Sequence, residues 1–267
     1  MESSGIVTLI TDFGLTDPYV GQLKGELLKR WPRAQIIDIT HAIDHHDIQG
    51  AALTLLTCYQ HFPVGTVHLI VVDPGVGSHR AILAARSNDY FFIAPDNGVL
   101  SPLIERELLH DIRQIAGGNA GSSATFHGRD IMAPLAADLA NGKSFVAVGK
   151  TVIAAECVSL PSLKMQRADN HLIGEVIRID HFGNIRLSIR YADLQGWAAP
   201  PENILVQLSG QHIGPLQRTY SDCLPDRFCV VIDSDGFLEV AANQGNAAQK
   251  LQSKLHDTVV VLPRSTP

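Results

Sequence analysis

The first half of the chain alternates short apolar runs with longer segments whose apolar residues recur at helical spacing. The runs that predict strands are residues 6–10, 35–39, 66–72, 81–85 and 90–94. The segments that predict helices are residues 18–31, 48–62 and 129–141. The run at 66–72 is almost continuously apolar, as expected for a strand buried on both faces. This alternation predicts a three-layer α/β sandwich with a largely parallel sheet.

The ends of the first two predicted helices carry local signals. Pro18 stands at the start of the first helix, where proline is tolerated, and Pro32 ends it. Asp47 is a residue type that caps helix N-termini, and Pro63 and Gly65 close the second helix. These signals place both helix boundaries.

The pattern changes after about residue 160. Residues 161–171 are polar and lack periodicity, which predicts a linker between a first domain at 1–160 and a second at 172–267. Beyond the linker, turn residues separate short apolar runs at residues 174–180, 185–189, 204–208, 229–232, 237–241 and 258–262. This spacing is typical of a smaller, β-rich domain.

The composition argues against several classes of protein. The 267 residues are 45% hydrophobic and 18% charged, with a net charge of −6, which is typical of a folded globular protein. Lys and Arg form no cluster suited to nucleic acid, and no apolar run is long enough to cross a bilayer. The four cysteines match no zinc spacing, and the N-terminus does not resemble a signal peptide. We therefore expect a cytoplasmic protein with reduced thiols and neither a nucleic-acid nor a membrane partner.

Candidate chemistry is concentrated where predicted strands end. Polar residues follow four of the strand runs, and a fifth polar cluster precedes the last predicted helix. These five segments are residues 11–14, 38–41, 73–80, 94–98 and 125–130. Because ligands of open α/β sheets bind beyond the carboxyl ends of the strands, the five segments could converge on one edge of the sheet.

The charged residues in these segments also have structural interpretations. Asp12 could be a turn acid after the first strand. Asp73 and Arg80 flank a Gly-rich turn and could form an ion pair that braces it. His127 could cap the helix that follows. Their common position near strand ends favours a shared site, but does not exclude the structural interpretations.

Three short motifs suggest other functions. Residues 12–14 spell the kinase DFG triplet, but the other kinase motifs are missing. The Gly-rich turn at 73–77 is not the GxGxxG fingerprint of dinucleotide binding. Residues 41–47 contain three histidines and an aspartate that could hold a metal, although two of the histidines are adjacent and point apart on most backbones. A metal-dependent hydrolase therefore remains a minor alternative.

Seven motifs taken together are similar to those of one family. They are TDFGLTD, IIDITHAI, VVDPGVGSHR, APDNGVLS, TFHGRD, IRIDHFGNI and VAANQGNAA. In this order, from about residue 5 to 262, they resemble the S-adenosyl-L-methionine hydroxide adenosyltransferases. These enzymes are hydrolytic relatives of the bacterial fluorinating and chlorinating enzymes.

The resemblance implies a fold, an assembly and a reaction. It implies an N-terminal α/β domain, a β-barrel-like C-terminal domain and a homotrimer with its sites at subunit interfaces. It also implies hydrolysis of S-adenosyl-L-methionine by in-line attack of water or hydroxide at ribose C5′, giving adenosine and L-methionine. Neither a metal nor a cofactor is implied.

The same resemblance implies roles for individual residues. Asp12 would bind the ribose hydroxyls, and Asp73, Arg80 and His127 would surround the attacking water. The residues implied to contact the methionine or adenine parts of the substrate are Asp180, Phe182, Asn184, Tyr220, Ser234, Asn246 and Ala247. Among these, Tyr220 would stack on adenine.

Two positions favour water over halide as the nucleophile. Halide-using relatives carry a segment similar to Thr-Phe-Tyr-Ser where residues 125–128 of this chain are Thr-Phe-His-Gly. They also carry an aromatic residue in place of Asp73. This chain therefore lacks the serine hydroxyl and has a charge where they have a phenol. His46 stands near a position where relatives usually carry an aromatic residue, so one pocket wall would differ.

These residue types suit the implied reaction. A sulfonium departs as a neutral thioether, so no general acid is needed and the difficulty lies with the nucleophile. An acid and an imidazole beside one water can orient it and accept its proton, and the sequence leaves open whether Asp73 or His127 does so. A non-catalytic protein that binds adenosine or S-adenosyl-L-methionine is the alternative, because the adenosine-side residues would serve it equally well.

Overall fold

The computed structural model describes residues 2–115, 122–197 and 202–264. The chain divides into two units, Met1–Leu160 and Pro161–Pro267. Each unit has its own buried apolar core.

The first unit contains a seven-stranded mixed sheet. Its strands are β1 (Ile6–Thr11), β2 (Gln35–Thr40), β3 (Val67–Val71), β4 (Ile82–Arg86), β5 (Phe91–Pro95), β6 (Asp111–Ile115) and β7 (Lys150–Val152). The strand order is β2-β1-β3-β5-β4-β6-β7. The first four strands in this order are parallel, whereas β4, β6 and β7 pair antiparallel. The largely parallel sheet predicted from the sequence is therefore wrong for half of the pairings, because the short link at 87–90 permits only a hairpin between β4 and β5.

Four helices cover the two faces of this sheet. They are α1 (Tyr19–Arg30), α2 (Ile48–Cys58), α3 (Ser101–Ile104) and α4 (Ala133–Ala140). Residues such as Val7 and Leu69 pack under α1 and α4, while Ile10 and Ile70 pack under α2 and α3. Alternate residues of a strand point to opposite faces, so one strand contributes to both cores. The predicted three-layer arrangement is confirmed.

The predicted helix signals are also confirmed. Asp47 Oδ1 accepts a hydrogen bond from Gly50 N–H at 2.8 Å and caps α2. The helix predicted at 129–141 begins differently from the expectation, because Gly128–Met132 form a wider π-helical turn before α4. This turn follows directly after His127.

The second unit is an antiparallel sheet of eight strands. They are β8 (Gln166–Arg167), β9 (Leu172–Ile179), β10 (Ile185–Arg190), β11 (Ile204–Leu208), β12 (Gln211–Ile213), β13 (Phe228–Ile232), β14 (Phe237–Ala242) and β15 (Thr258–Pro263), with the short helices α5 (Tyr191–Leu194) and α6 (Ala247–Leu251). The order is β12-β11-β15-β9-β10-β14-β13, and β8 pairs with β9, so part of the predicted linker is a strand. Gln217 N–H donates to the Val230 carbonyl at 2.8 Å, so the chain after β12 returns to β13 and the sheet nearly closes into a barrel.

Two further features bear on the sequence predictions. No helix within the described residues is long and apolar enough to cross a membrane. All four cysteines are free thiols. Burial, together with the neighbouring Cys223 thiol, raises the pKa of Cys229 to about 12.

Candidate active site

The first unit holds a pocket of about 290 Å³ at the carboxyl ends of β1 and β3. Its lining combines three carboxylates, three imidazoles and three aromatic rings. The lining residues are Asp12, Phe13, Asp17, Tyr19, His45, His46, Val71, Asp73, Val76, Thr125, Phe126, His127 and Gly128. Three of the five polar segments identified in the sequence therefore converge here, namely residues 11–14, 73–80 and 125–130.

Asp73 and Arg80 form a bidentate ion pair beside this pocket. Arg80 Nε donates to Asp73 Oδ1 at 2.7 Å, and Arg80 Nη2 donates to Asp73 Oδ2. The two side chains are only 6% and 9% exposed, respectively. Arg80 Nη2 also donates to His127 Nδ1 at 3.1 Å. One guanidinium therefore joins the acid to the imidazole.

The Gly-rich turn explains how Arg80 reaches back to Asp73. Val76 N–H donates to the Asp73 carbonyl at 3.2 Å and closes the turn. Gly77 has a φ of 81°, and a Cβ at this position would lie 2.6 Å from the Ala124 carbonyl oxygen. Only glycine accepts both that conformation and that approach. The turn thus reverses the chain and also packs against Ala124, immediately before the last of the five polar segments.

The contact with Arg80 determines which nitrogen of His127 carries a proton. Arginine has only donors, so His127 Nδ1 must be the unprotonated nitrogen that accepts from Arg80. The ring is therefore neutral, with its proton on Nε2. His127 makes no side-chain hydrogen bond to the helical turn that follows, so the capping interpretation of this residue is wrong.

A second ion pair holds the segment that carries His127. Arg129 Nε donates to Asp130 Oδ1 at 2.6 Å, and Asp130 Oδ2 accepts from Ser123 N–H at 2.7 Å. The hydrogen bonds from Arg129 lower the pKa of Asp130. The Arg129 guanidinium also lies 4.9 Å from the centre of the Phe126 ring, a cation–π contact. Phe126, Arg129 and Asp130, which flank His127 in the chain, are therefore held by specific contacts.

Gly128 lets this segment approach β3. A Cβ at Gly128 would lie 2.6 Å from Val71 Cγ1, closer than real side chains approach. A larger residue at 128 would push His127 away from the strand that leads to Asp73. The sequence motif therefore has a steric reason for its glycine.

Asp12 follows β1, and its side chain is 11% exposed. His46 N–H donates to Asp12 Oδ2 at 3.1 Å, and His46 has a φ of 66°, which few residues other than glycine adopt. The His46 imidazole is 71% exposed, and its Nδ1 lies 4.0 Å from the same carboxylate oxygen. The position expected to alter one pocket wall is therefore in contact with Asp12.

The other two polar segments lie behind the pocket lining. Asn97 Nδ2 donates to the Val72 carbonyl at 2.9 Å, next to Asp73. His41 Nδ1 lies 2.8 Å from Thr11 Oγ1, next to the first acid of the pocket. Both segments therefore support the lining rather than form it.

Sequence reasoning missed an aromatic group in the pocket. The rings of Phe13, Tyr19 and Phe126 contact one another, with centroids 5.6 to 5.9 Å apart. Asp17 also lines the pocket and was not singled out. The available signal was its place in the TDFGLTD motif, two residues before α1.

In the second unit, three residues predicted to bind substrate share one loop. Asp180 Oδ1 accepts from the backbone N–H groups of Phe182 and Asn184 at 2.9 and 2.8 Å, and Asn184 Nδ2 donates to Asp180 Oδ2 at 3.0 Å. Gly183 has a φ of 84°, and a Cβ there would overlap the Asn246 side chain at 2.1 Å. Phe182 is 73% exposed at the tip of the loop.

Asn246 and Ala247 begin α6 against this loop. Asn246 Oδ1 accepts from Gln249 N–H at 2.7 Å and caps the helix, while Ala247 is fully buried. Ala248 N–H donates to the Gly183 carbonyl at 2.9 Å. The structure thus brings the Asp180 loop and the start of α6 together.

Tyr220 and Ser234 come from other segments of the second unit, and Tyr220 lies near enough to Asp180 to feel its charge. The Tyr220 hydroxyl donates to Glu239 Oε1 at 2.7 Å. Burial is the main cause that raises the pKa of Tyr220, and the hydrogen bond to Glu239 raises it further. Burial also raises the pKa of Glu239, and the charges of Asp180 and Asp233 add to that effect. Ser234 is exposed in the turn between β13 and β14. Glu239 was not identified from the sequence, because it stands within an apolar run that predicts a strand.

The metal alternative depends on how the His and Asp side chains at 41–47 are arranged. Within 2–115, 122–197 and 202–264, no group of three or more His, Cys, Asp or Glu is arranged to hold a metal ion. The His45 and His46 ring centroids are 6.5 Å apart, and Asp47 caps α2. The stretch at 41–47 therefore forms no such group.

Comparisons with known proteins cover both units. A family model described as the SAM hydroxide adenosyltransferase N-terminal domain matches residues 7–149, and the model for its C-terminal domain matches residues 174–260. The chain is 34% identical to the (R)-S-adenosyl-L-methionine hydrolase of Salinispora arenicola, over 94% of this chain and 95% of that protein. It is 26% identical to a fluorinase of Nocardia brasiliensis, over 96% of each.

A solved structure shares the same fold. The crystal structure of an uncharacterized conserved protein from Thermotoga maritima superposes with a TM-score of 0.88 at 34% identity, covering 96% of this chain and 99% of that one. The chain therefore belongs to the SAM hydroxide adenosyltransferase family.

Proposed function

We propose that this protein hydrolyses S-adenosyl-L-methionine to adenosine and L-methionine by in-line attack of water at ribose C5′. The observation that carries the proposal is the contact of one guanidinium, Arg80, with both Asp73 and His127 beside a pocket. Family membership supplies the substrate class, and the buried ion pair next to an imidazole supports a reaction rather than simple binding.

In this proposal Asp73 accepts the proton of the attacking water. His127 has no free basic nitrogen, because Nδ1 accepts from Arg80 and Nε2 carries the ring proton. The His127 Nε2–H instead donates to the water oxygen and holds it in line with C5′. A carboxylate has two lone pairs on each oxygen, so Asp73 can take the proton while its bonds to Arg80 persist. The proposal thus takes Asp73 as the proton acceptor where the sequence alone left Asp73 and His127 open, and the contact of Arg80 with His127 Nδ1 supports it.

The charge of the pocket suits a sulfonium substrate. Asp12 and Asp17 line it, while the charge of Asp73 is balanced by Arg80, so a cationic substrate is attracted. Asp12 binds the ribose hydroxyls and thereby fixes the direction of C5′ relative to the water. Because curated relatives are named for the (R) sulfonium epimer, we extend the proposal to a preference for that epimer.

The remaining substrate contacts are proposed from the second unit. These residues bind the methionine and adenine parts and are Asp180, Phe182, Asn184, Tyr220, Ser234, Asn246 and Ala247. We further propose a cytoplasmic homotrimer with its sites at subunit interfaces, which uses neither metal nor cofactor. Light scattering of the purified protein tests the trimer.

A chromatographic assay tests the reaction. The purified protein is incubated with separated (R) and (S) epimers of S-adenosyl-L-methionine in chelator, with and without chloride. Equal amounts of adenosine and methionine, formed faster from the (R) epimer and without a chlorinated nucleoside, are expected. Intact ligand that nevertheless raises the melting temperature would identify a binding protein instead. Activity lost in chelator and restored by a divalent metal would overturn the metal-free proposal.

A further inference from the structure

A buried set of polar contacts holds the loop around Asp12. His41 Nδ1 lies 2.8 Å from Thr11 Oγ1, and Phe13 N–H donates to that same hydroxyl at 3.3 Å. Gly14 N–H donates to the His41 carbonyl at 2.8 Å. Thr11 is fully buried and His41 is 5% exposed. The residues on both sides of Asp12 are therefore tied to His41.

The far side of His41 meets an ion pair. His41 Nε2 lies 3.1 Å from Asp38 Oδ1, and Lys24 Nζ lies 2.6 Å from Asp38 Oδ2. Burial raises the pKa of Asp38, but the hydrogen bond from Lys24 and the proximity of His41 outweigh it and lower the pKa. Because the Thr11 hydroxyl accepts from Phe13, its own proton can go to His41 Nδ1, which leaves the imidazole proton on Nε2 beside Asp38. The His41 imidazole thus lies between the loop and Asp38, and its Nε2 meets that carboxylate through proximity rather than an aligned hydrogen bond.

The geometry points to Thr11 and His41 as positioning residues, which aim the Asp12 carboxylate into the pocket. This inference rests on the proposed function, in which Asp12 binds the ribose hydroxyls. Two hydrogen bonds from adjacent hydroxyls to one carboxylate require a defined carboxylate orientation, because such bonds weaken steeply when misaligned. His46 N–H holds Asp12 Oδ2 directly at 3.1 Å, while the contacts of Thr11 and His41 fix the backbone on both sides of Asp12.

The same strand offers a matched control. Thr8 Oγ1 lies 2.7 Å from His68 Nδ1, and Thr8, like Thr11, is fully buried on β1. Neither Thr8 nor His68 lines the pocket. Replacing either threonine by valine removes one hydroxyl and one hydrogen bond to an imidazole. The two variants should therefore lose similar stability, whereas only the change at Thr11 alters the loop around Asp12.

The experiment compares Thr11→Val, Thr8→Val, Thr11→Ser and Asp12→Ala in the full chain. It measures the Kd for adenosine, the KM and kcat for S-adenosyl-L-methionine, and the melting temperature. Thr11→Val is expected to raise the adenosine Kd and the KM about five-fold, as for loss of one hydrogen bond of ordinary strength, with kcat changed less than about two-fold. Thr8→Val should leave Kd and KM unchanged, and Thr11→Ser, which keeps the hydroxyl, should restore both.

Each outcome decides one point. Thr11→Val with the same Kd and KM as Thr8→Val would overturn the positioning role. Asp12→Ala with an unchanged adenosine Kd would instead contradict the ribose assignment of the proposed function. Where Thr11→Val does not fold, His41→Phe replaces it, since it removes the imidazole nitrogen that contacts the Thr11 hydroxyl and keeps an aromatic ring. An unchanged adenosine Kd in that variant would overturn the inference.

Discussion

Arg80 Nη2 donates one N–H to Asp73 Oδ2 and another to His127 Nδ1. The guanidinium therefore sets the orientation of the acid and the tautomer of the imidazole at the same time. Within the part of the chain that the structure describes, Arg80 is the side-chain hydrogen-bond partner of both Asp73 and His127, so the orientation of each depends on it. Because Arg80 occupies His127 Nδ1, His127 can only donate to the nucleophile, which leaves Asp73 as the proposed proton acceptor.

Substitution of Asp73 or of His127 should lower the turnover rate and leave substrate binding nearly unchanged. Asp73→Asn removes the proposed proton acceptor, and His127→Ala removes the donor to the water, so each should lower kcat at least about 100-fold. Substrate Kd should change less than about three-fold, because neither group is proposed to bind the ground state tightly. Single-turnover rates and equilibrium dialysis measure the two quantities. Equal losses of binding and turnover would point to a structural role for the pair.

Replacement of Arg80 by lysine should allow His127 to adopt both neutral tautomers. An ammonium is a point donor and cannot reproduce two bonds to Asp73 together with one to His127. In the wild type, ¹⁵N NMR of labelled histidine should report an unprotonated Nδ1 and a protonated Nε2 for His127. Arg80→Lys should give a mixture of tautomers and a lower kcat. A His127 signal unchanged by Arg80→Lys would contradict the guanidinium's role in selecting the tautomer.

Gly128 and Val71 provide a steric test of the site. Gly128→Ala places a methyl group 2.6 Å from Val71 Cγ1 and should displace His127, lowering kcat about ten-fold or more. Val71→Ala removes the clashing methyl groups, so the double variant should recover most of the lost kcat. Steady-state kinetics of the two single variants and the double variant form the test. Strictly additive losses would show that the contact does not determine the position of His127.

His68 should make stability depend on pH on the acid side. The ring is fully buried among Tyr59, Phe62, Tyr90 and Phe92, and burial lowers its pKa from 6.5 to about 3. Between these two values the unfolded chain binds a proton that the folded chain does not. The stabilisation is therefore fully present above pH 6.5 and is lost as pH falls towards 3, by up to about 1.4 kcal/mol per pH unit.

The matched variant for this prediction is Thr8→Val with His68→Phe, which removes both hydrogen-bonding partners and keeps an aromatic ring. Its free energy of unfolding, measured with denaturant between about pH 6 and pH 4, should fall less steeply than that of the wild type. Parallel slopes for the two proteins would rule out His68 as the source of the pH dependence.

The sequence predicted the elements whose signals are local. The apolar runs of β1 and β3 and the cap at Asp47 depend on nearby residues only, and the structure confirms them. The meeting of Asp12 and Asp73 was predictable because polar residues after parallel strands share one edge of a sheet, and His127 joins them from a segment that precedes a helix.

Other features depend on partners distant in sequence. The antiparallel pairings of β6 with β4 and of β7 with β6 join segments distant in the chain, whereas the short link at 87–90 indicates the β4–β5 hairpin locally. The aromatic contacts of Phe13 with Phe126 join residues far apart in the chain. Glu239 looks like an isolated acid in an apolar strand until its hydrogen bond with Tyr220 is known.

The most direct test of the central claim is hydrolysis in ¹⁸O-labelled water. Attack of water at ribose C5′ places the label in the 5′-hydroxyl of adenosine and leaves L-methionine unlabelled, which mass spectrometry of the separated products detects. The account predicts one ¹⁸O per adenosine formed and none in methionine. Unlabelled adenosine, or labelled homoserine with methylthioadenosine, would contradict attack by water at C5′.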